Sequence, residues 1–126
     1  MAKFRMREVL LIDDNETQLN ARQAVLREAG FAVLTAGTAE AALALLQEPL
    51  VNLGVIVTDH LMPGGSGDAF VRQLRNSGSH MPVIVISGLA DAEDEYAELD
   101  VSFLYKPCAP QDLIRHVRDA LERRVP

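Results

Sequence analysis

"EVLLIDDNETQLNARQAVLREAG", residues 8–30, runs a strand, an acidic turn and a helix in immediate succession. The apolar run Val9 to Ile12 has the continuous Val/Ile/Leu content of a strand buried on both faces, as in a parallel sheet. From about Thr17 to Ala29 a helix is expected. Leu19, Val25, Leu26 and Ala29 share one face of it, and Gly30 stops it as a C′ glycine does. Between the two elements stand Asp13 and Asp14, which repel each other and lose hydration beside a core. Either they close a polar turn in water, or something cationic offsets the repulsion.

The same unit recurs along the chain. Further strands are expected at "FAVLT" (31–35), "LGVIVT" (53–58), "PVIVIS" (82–87) and "VSFLY" (101–105). Helices are expected at 38–48, with Thr38 as N-cap and Pro49 past its end, at 67–78 ending on Gly78, at the acidic 91–99, and at 110–124. In the last of these, Leu113, Ile114, Val117 and Leu121 recur at helical spacing. The pattern is (βα)5 in α/β class: a doubly wound, five-stranded parallel sheet with right-handed crossovers and helices on both faces. Ligands of such sheets bind outside the carboxyl ends of the strands, at the switch in strand order. Asp13 and Asp14 sit just past such an end.

Composition narrows the function classes. The chain has 126 residues, 48% apolar and 24% charged, which suits one domain spanning 1–126 with no internal repeat or linker. A net charge of −6 argues against a nonspecific nucleic-acid grip. No apolar run approaches the roughly 18 residues of a membrane helix, and the single cysteine, Cys108, fits a reducing compartment, so a cytoplasmic location is expected.

The remaining strand ends are equally polar. Strand 3 runs into Asp59, strand 4 ends at Ser87 before Gly88, and strand 5 ends "FLYKP" with Lys106 before Pro107. Three carboxylates on one edge form a hard-oxygen cluster suited to Mg²⁺, which takes one or two carboxylates, keeps waters and favours a phosphate ligand. Lys106 and Ser87 are then free for phosphoryl oxygens, as a point charge and a hydroxyl donor. A carboxylate in that company is placed to attack phosphorus. Neither GxxxxGK[ST] nor GxGxxG occurs, so no nucleotide loop supplies the donor.

With "LLIDDNE", "VTDHLMPGGSG", "VIVISG" and "FLYKP" in this order, each at the end of its strand, the sequence resembles the receiver domain of two-component response regulators over essentially its whole length. The resemblance implies a flavodoxin-like sheet of order 2-1-3-4-5. It implies Asp59 as phosphoacceptor, and Mg²⁺ held by Asp14, by Asp13 mainly through water, by Asp59 and by the backbone carbonyl of Leu61. It further implies Ser87 and Lys106 at the phosphoryl oxygens, a cis Lys106–Pro107 bond, and Gly67 permitting the turn into the third helix. Phe103 matches the aromatic that turns inward when Ser87 moves, and it also reads as ordinary core. The implied partners are a histidine kinase or histidine phosphotransfer protein, and a downstream protein on the face of helix 4, strand 5 and helix 5. Dimerisation is left open.

Three departures from the family stand out: Ser87 for the commoner threonine, Cys108 where phenylalanine is frequent, and a short 89–100 segment lacking a Gly-Ala approach to strand 5. His60 is expected to be an exposed loop side chain, because neighbours in extended backbone point oppositely. His80 and His116 are expected at the surface, Cys108 in packing, and Arg115, Arg118, Arg123 and Arg124 in solvent. Leu61 and Leu89, each two residues past Asp59 or Ser87, are apolar and should shield the acyl phosphate from water.

The expected function is therefore a signalling switch whose chemistry is confined to its own phosphorylation and dephosphorylation, with no output domain in this chain. A phosphohydrolase of the haloacid dehalogenase type needs a second acid two residues after the nucleophile, where Leu61 stands, and a flavin module needs a phosphate-cradling loop after strand 1. A receiver-like module that acts without phosphorylation is disfavoured by the intact acidic site. "SGLAD" and the last helix also resemble receivers of hybrid histidine kinases.

Overall fold

The computed structural model describes residues 7–62, 65–88 and 90–122. Five strands alternate with four α-helices: β1 (Glu8–Ile12), α1 (Glu16–Glu28), β2 (Ala32–Ala36), α2 (Ala39–Leu46), β3 (Leu53–Asp59), α3 (Gly67–Asn76), β4 (Val83–Ser87), β5 (Ser102–Tyr105) and α4 (Pro110–Glu122). A two-plus-two-residue antiparallel pair, Leu61–Met62 with Gly65–Ser66, lies between β3 and α3. The five strands pair in parallel in the order β2-β1-β3-β4-β5, as expected.

Local chemistry accounts for the helix starts. The Asn15 side chain accepts from the Gln18 N–H (2.9 Å), and the Thr38 hydroxyl accepts from the Ala41 N–H (3.0 Å), each satisfying a donor left open by the first turn. Gly30 and Gly78, just past α1 and α3, adopt the left-handed backbone that terminates a helix.

The fourth expected helix is not an α-helix. Residues Ala90–Tyr96 form a 3₁₀ run, and the segment then reaches β5 through Glu98 (φ 68°) and Asp100 (φ 54°). Few residues separate β4 from β5, and the tighter winding brings Ala92, Tyr96 and Leu99 onto the sheet within that length. Arg75, at the end of α3, braces this approach. Its guanidinium donates to the carbonyls of Leu99 (2.8 Å), Asp100 (3.0 Å), Met81 (2.7 Å) and Ser79 (3.3 Å).

Strand alternation divides the core into two layers. Val9, Leu11, Val55, Val57, Ile84, Ile86 and Leu104 face Leu26 of α1 and Leu113 and Val117 of α4. Leu10, Ile12, Ile56, Val83 and Val85 face Ala42 of α2, Phe70, Val71 and Leu74 of α3, and Tyr96. Among the described residues no helix is long and apolar enough to cross a membrane.

Candidate functional site

β1 lies between β2 and β3, so the strand order switches between β1 and β3 and opens a crevice at their carboxyl ends. An open cleft of about 400 Å³ occupies this position, lined by Asp13, Asp14, Asn15, Gln18, Asp59, Leu61 and Lys106. Parity assigns the side chains. Asp13 continues the Val9, Leu11 series, Asp59 the Val55, Val57 series and Lys106 follows Leu104, which puts all three on the layer toward α1 and α4.

Asp13 and Asp59 are buried, at 3% and 4% exposure, whereas Asp14 is exposed. The Lys106 ammonium contacts Asp59 Oδ2 at 2.7 Å. Asp59 Oδ1 accepts from the Leu61 N–H (3.1 Å), and Asp13 Oδ1 accepts from the Asn15 N–H (2.9 Å). Burial, with help from the neighbouring charges of Asp59 and Asp14, holds the Asp13 carboxyl above its usual range. The Asn15 N–H and the Arg22 guanidinium act in the opposite direction. Asp13 thereby answers one part of the sequence question: it does not rest in open water.

Arg22 is a member of the site that the sequence reading passed over. Its Nη1 lies 2.7 Å from Asp13 Oδ2 and 3.5 Å from Asp59 Oδ2. A signal for it existed. Arg22 stands three residues after Leu19 and four before Leu26, both packed on the core, and a cation on an apolar stripe needs an internal anion.

Ser87 and Phe103 occupy the opposite layer. Ser87 is buried at the end of β4, in the Val83, Val85 series, and its carbonyl accepts from the Lys106 N–H (2.9 Å). Phe103 pairs in register with Val85 and is half-buried, its ring edge-on to Tyr96 at 5.1 Å and stacked on Tyr105 at 6.0 Å. The Lys106–Pro107 peptide is cis, as the resemblance implied. Leu61 projects outward beside the cleft with 60% exposure. Leu89, Pro63, Gly64, Arg123 and Arg124 lie outside the described residues.

His60 corrects the sequence reading. Its side chain does point away from Asp59, but that direction leads under the 3₁₀ segment and not to solvent, so the residue is buried. Its Nε2 lies 3.1 Å from Glu95, a carboxylate that can only accept, which places the proton on Nε2. With that tautomer, Nδ1 is the acceptor for the Tyr96 hydroxyl, 2.8 Å away. Burial, followed by the charges of Asp68, Glu95 and Asp59, pushes the Tyr96 phenol well above its usual range, so the hydroxyl keeps its proton. Gly67 makes the arrangement fit, because a Cβ there would meet the Tyr96 hydroxyl and approach the Asp59 carbonyl to 3.1 Å. His80 is exposed and His116 is partly exposed, its Nδ1 2.9 Å from the Asp112 carbonyl. Cys108 is half-buried against the α1–α4 layer, and burial raises its thiol pKa, which suits packing.

The donor set can be tested against a divalent metal. Among the described residues no three His, Cys, Asp or Glu side chains are grouped to hold a metal ion by themselves. Mg²⁺ does not require that, because one or two carboxylates, a backbone carbonyl and several waters complete its octahedron. Each carboxylate oxygen at the site has two lone pairs, and exposed Asp14 has an ion pair to no residue among those described here. The residues fit a hydrated, oxygen-bound cation.

Comparison with known proteins agrees with this geometry. The family model described as "Response regulator receiver domain" matches residues 9–118. The hydrogenase transcriptional regulatory protein HoxA of Cupriavidus necator is 38% identical over 118 residues, spanning 90% of this chain and 24% of that protein. This chain thus corresponds to about a quarter of that relative's length. A response regulator receiver domain protein from Clostridium thermocellum superposes with TM-score 0.84 at 30% identity, over 94% of this chain and 96% of that one. The signal receiver domain of a signal transduction histidine kinase from Syntrophus aciditrophicus does so with TM-score 0.80 at 29% identity, covering 95% of each. The chain belongs to the response regulator receiver domain family.

Proposed function

We propose that this domain is a phosphorylation-dependent switch of a two-component system, in which the Asp59 carboxylate receives a phosphoryl group from a histidine kinase or a histidine phosphotransfer protein. The observation that carries the reading is the convergence of Asp13, Asp14, Asp59 and Lys106 in one open cleft, with the lysine ammonium 2.7 Å from Asp59. A carboxylate oxygen of Asp59 attacks phosphorus, the phosphorus–nitrogen bond of the donor breaks, and the imidazole leaves with the bond's electron pair. Asp59 is held for this by the Leu61 N–H and by Lys106. Lys106 follows the charge onto a phosphoryl oxygen, and the Ser87 hydroxyl donates to another.

Asp13, Asp14, Asp59 and the Leu61 carbonyl would hold Mg²⁺, which supplies neutralisation of charge on the transferring group. Ser87 shares its layer with Phe103 and Tyr96, so movement of Ser87 toward the phosphate is felt by those rings. That is the route by which the face of the 3₁₀ segment, β5 and α4 would signal a downstream protein. The domain acts as a switch and not as an enzyme on other substrates. We assign it to the cytoplasm, with residues 1–126 as one domain.

The experiment is intact mass after incubation with Mg²⁺ and a small-molecule phosphodonor, on wild type and Asp59→Ala. One added phosphoryl group, lost in the variant and with chelator, is expected. Absence of any adduct in the wild type would leave a receiver-like module that binds its partners without phosphorylation.

A further inference from the structure

Two cations are aimed at the two buried carboxylates, and only one of them was expected. Lys106 contacts Asp59 from β5, while Arg22 of α1 reaches both Asp13 and Asp59 through a single guanidinium nitrogen. The Arg22 side chain is only 17% exposed and stands on the packed face of its helix. Desolvating a guanidinium there is costly, and these two carboxylates are what offsets it. Asp13 Oδ2 is occupied by this contact, and its Oδ1 by the Asn15 N–H.

We infer that Arg22 is a built-in counter-cation that competes with a divalent metal for Asp13 and Asp59, and so sets the metal concentration at which the site becomes competent. The inference rests on the metal reading proposed above. A divalent ion at this edge either takes Asp13 Oδ2 from the guanidinium or binds with that positive charge only a few ångströms away. Both raise its dissociation constant, because like charges at this separation in a partly screened site oppose each other appreciably. When metal is scarce, Arg22 neutralises the pair whose mutual repulsion the metal would otherwise relieve. The opposite role is equally definite: if Arg22 only positions Asp13 as a ligand, its removal weakens metal binding. The sign of one measurement separates them.

The test is calorimetric Mg²⁺ titration of wild type, Arg22→Gln and Arg22→Leu, with Asp14→Asn as the control for the metal site. The Leu variant suits the apolar stripe if Gln folds poorly, and thermal melts in chelator establish that each variant is folded. The expected result is a Kd for Mg²⁺ lower by roughly tenfold in the folded neutral variants, and Mg²⁺ should raise their melting temperature more than that of wild type. Asp14→Asn should weaken binding in every background. If wild type binds Mg²⁺ and the folded Arg22 variants bind it equally or less well, the inference fails and the metal reading survives. If neither wild type nor the Arg22 variants respond to millimolar Mg²⁺, the metal reading fails and the inference falls with it.

Discussion

Asp13 is held by a backbone N–H and a guanidinium, yet burial and two neighbouring carboxylates still keep its carboxyl above the usual 3.8. The folded state therefore binds this proton more tightly than the unfolded chain. At neutral pH both states are ionised, and the folded state bears the cost of desolvation and repulsion. Below the unfolded value both are protonated, and the cost vanishes. Across the window between the ordinary and the raised value, the Asp13 contribution to stability falls as pH rises. Asp13→Asn keeps the acceptor for Asn15 and removes the charge. In metal-free urea unfolding it is expected to stabilise the domain at pH 7 by about 1 kcal/mol, with the gain shrinking toward pH 3. A variant less stable than wild type at pH 7 would show that the Arg22 pair outweighs the repulsion.

Leu61 is the second residue-scale case. Its exposed side chain stands beside the cleft two residues past Asp59, the position from which it would screen the proposed acyl phosphate from water. Leu61→Asn is expected to shorten the acyl phosphate half-life severalfold, by admitting and orienting the attacking water. An unchanged half-life would remove Leu61 from that role.

At the scale of elements, the segment between β4 and β5 departs most from expectation. The alternation of strands and helices predicts a helix over the short, acidic stretch 91–99, but a local pattern carries no information about how far the chain must travel to begin β5. The 3₁₀ winding and the left-handed Glu98 and Asp100 are the structural solution. Arg75 stabilises it from outside by donating to four carbonyls of the segments flanking β4 and β5. Arg75→Ala is expected to cost roughly 2 kcal/mol in chemical denaturation, since charge-assisted hydrogen bonds are lost and their acceptors must find water. Hydrogen exchange should rise first in residues 97–101, and uniform exchange across the domain would deny Arg75 this local role.

At the scale of the molecule, the sheet is sandwiched between two apolar layers, and the central strands belong to both. Ile56 is fully buried in β3, whereas Leu50 is 81% exposed in the turn before it. Ile56→Ala is expected to cost about 2–5 kcal/mol, a large share of the total stability of a domain this size. Leu50→Ala should stay within about 0.5 kcal/mol. Equal urea midpoints for the two variants would contradict the layered core.

Sequence alone determined the alternation of strands and helices, the polar residues at the strand ends and their delivery to one edge, because period-2 and period-3.6 patterns and chain connectivity are local or topological properties, whereas the strand order followed only from the family resemblance. Asp13, Asp14, Asp59, Leu61 and Lys106 accordingly line one cleft. Only the tertiary structure decided what each side chain meets. It brought Arg22 from one helix onto two carboxylates, laid the 3₁₀ segment over His60, and set Tyr96 edge-on to Phe103. The physical reason is that an ion pair or a burial is set by elements distant in sequence. Alternation says which way a side chain points, and only packing says whether water or protein is waiting there.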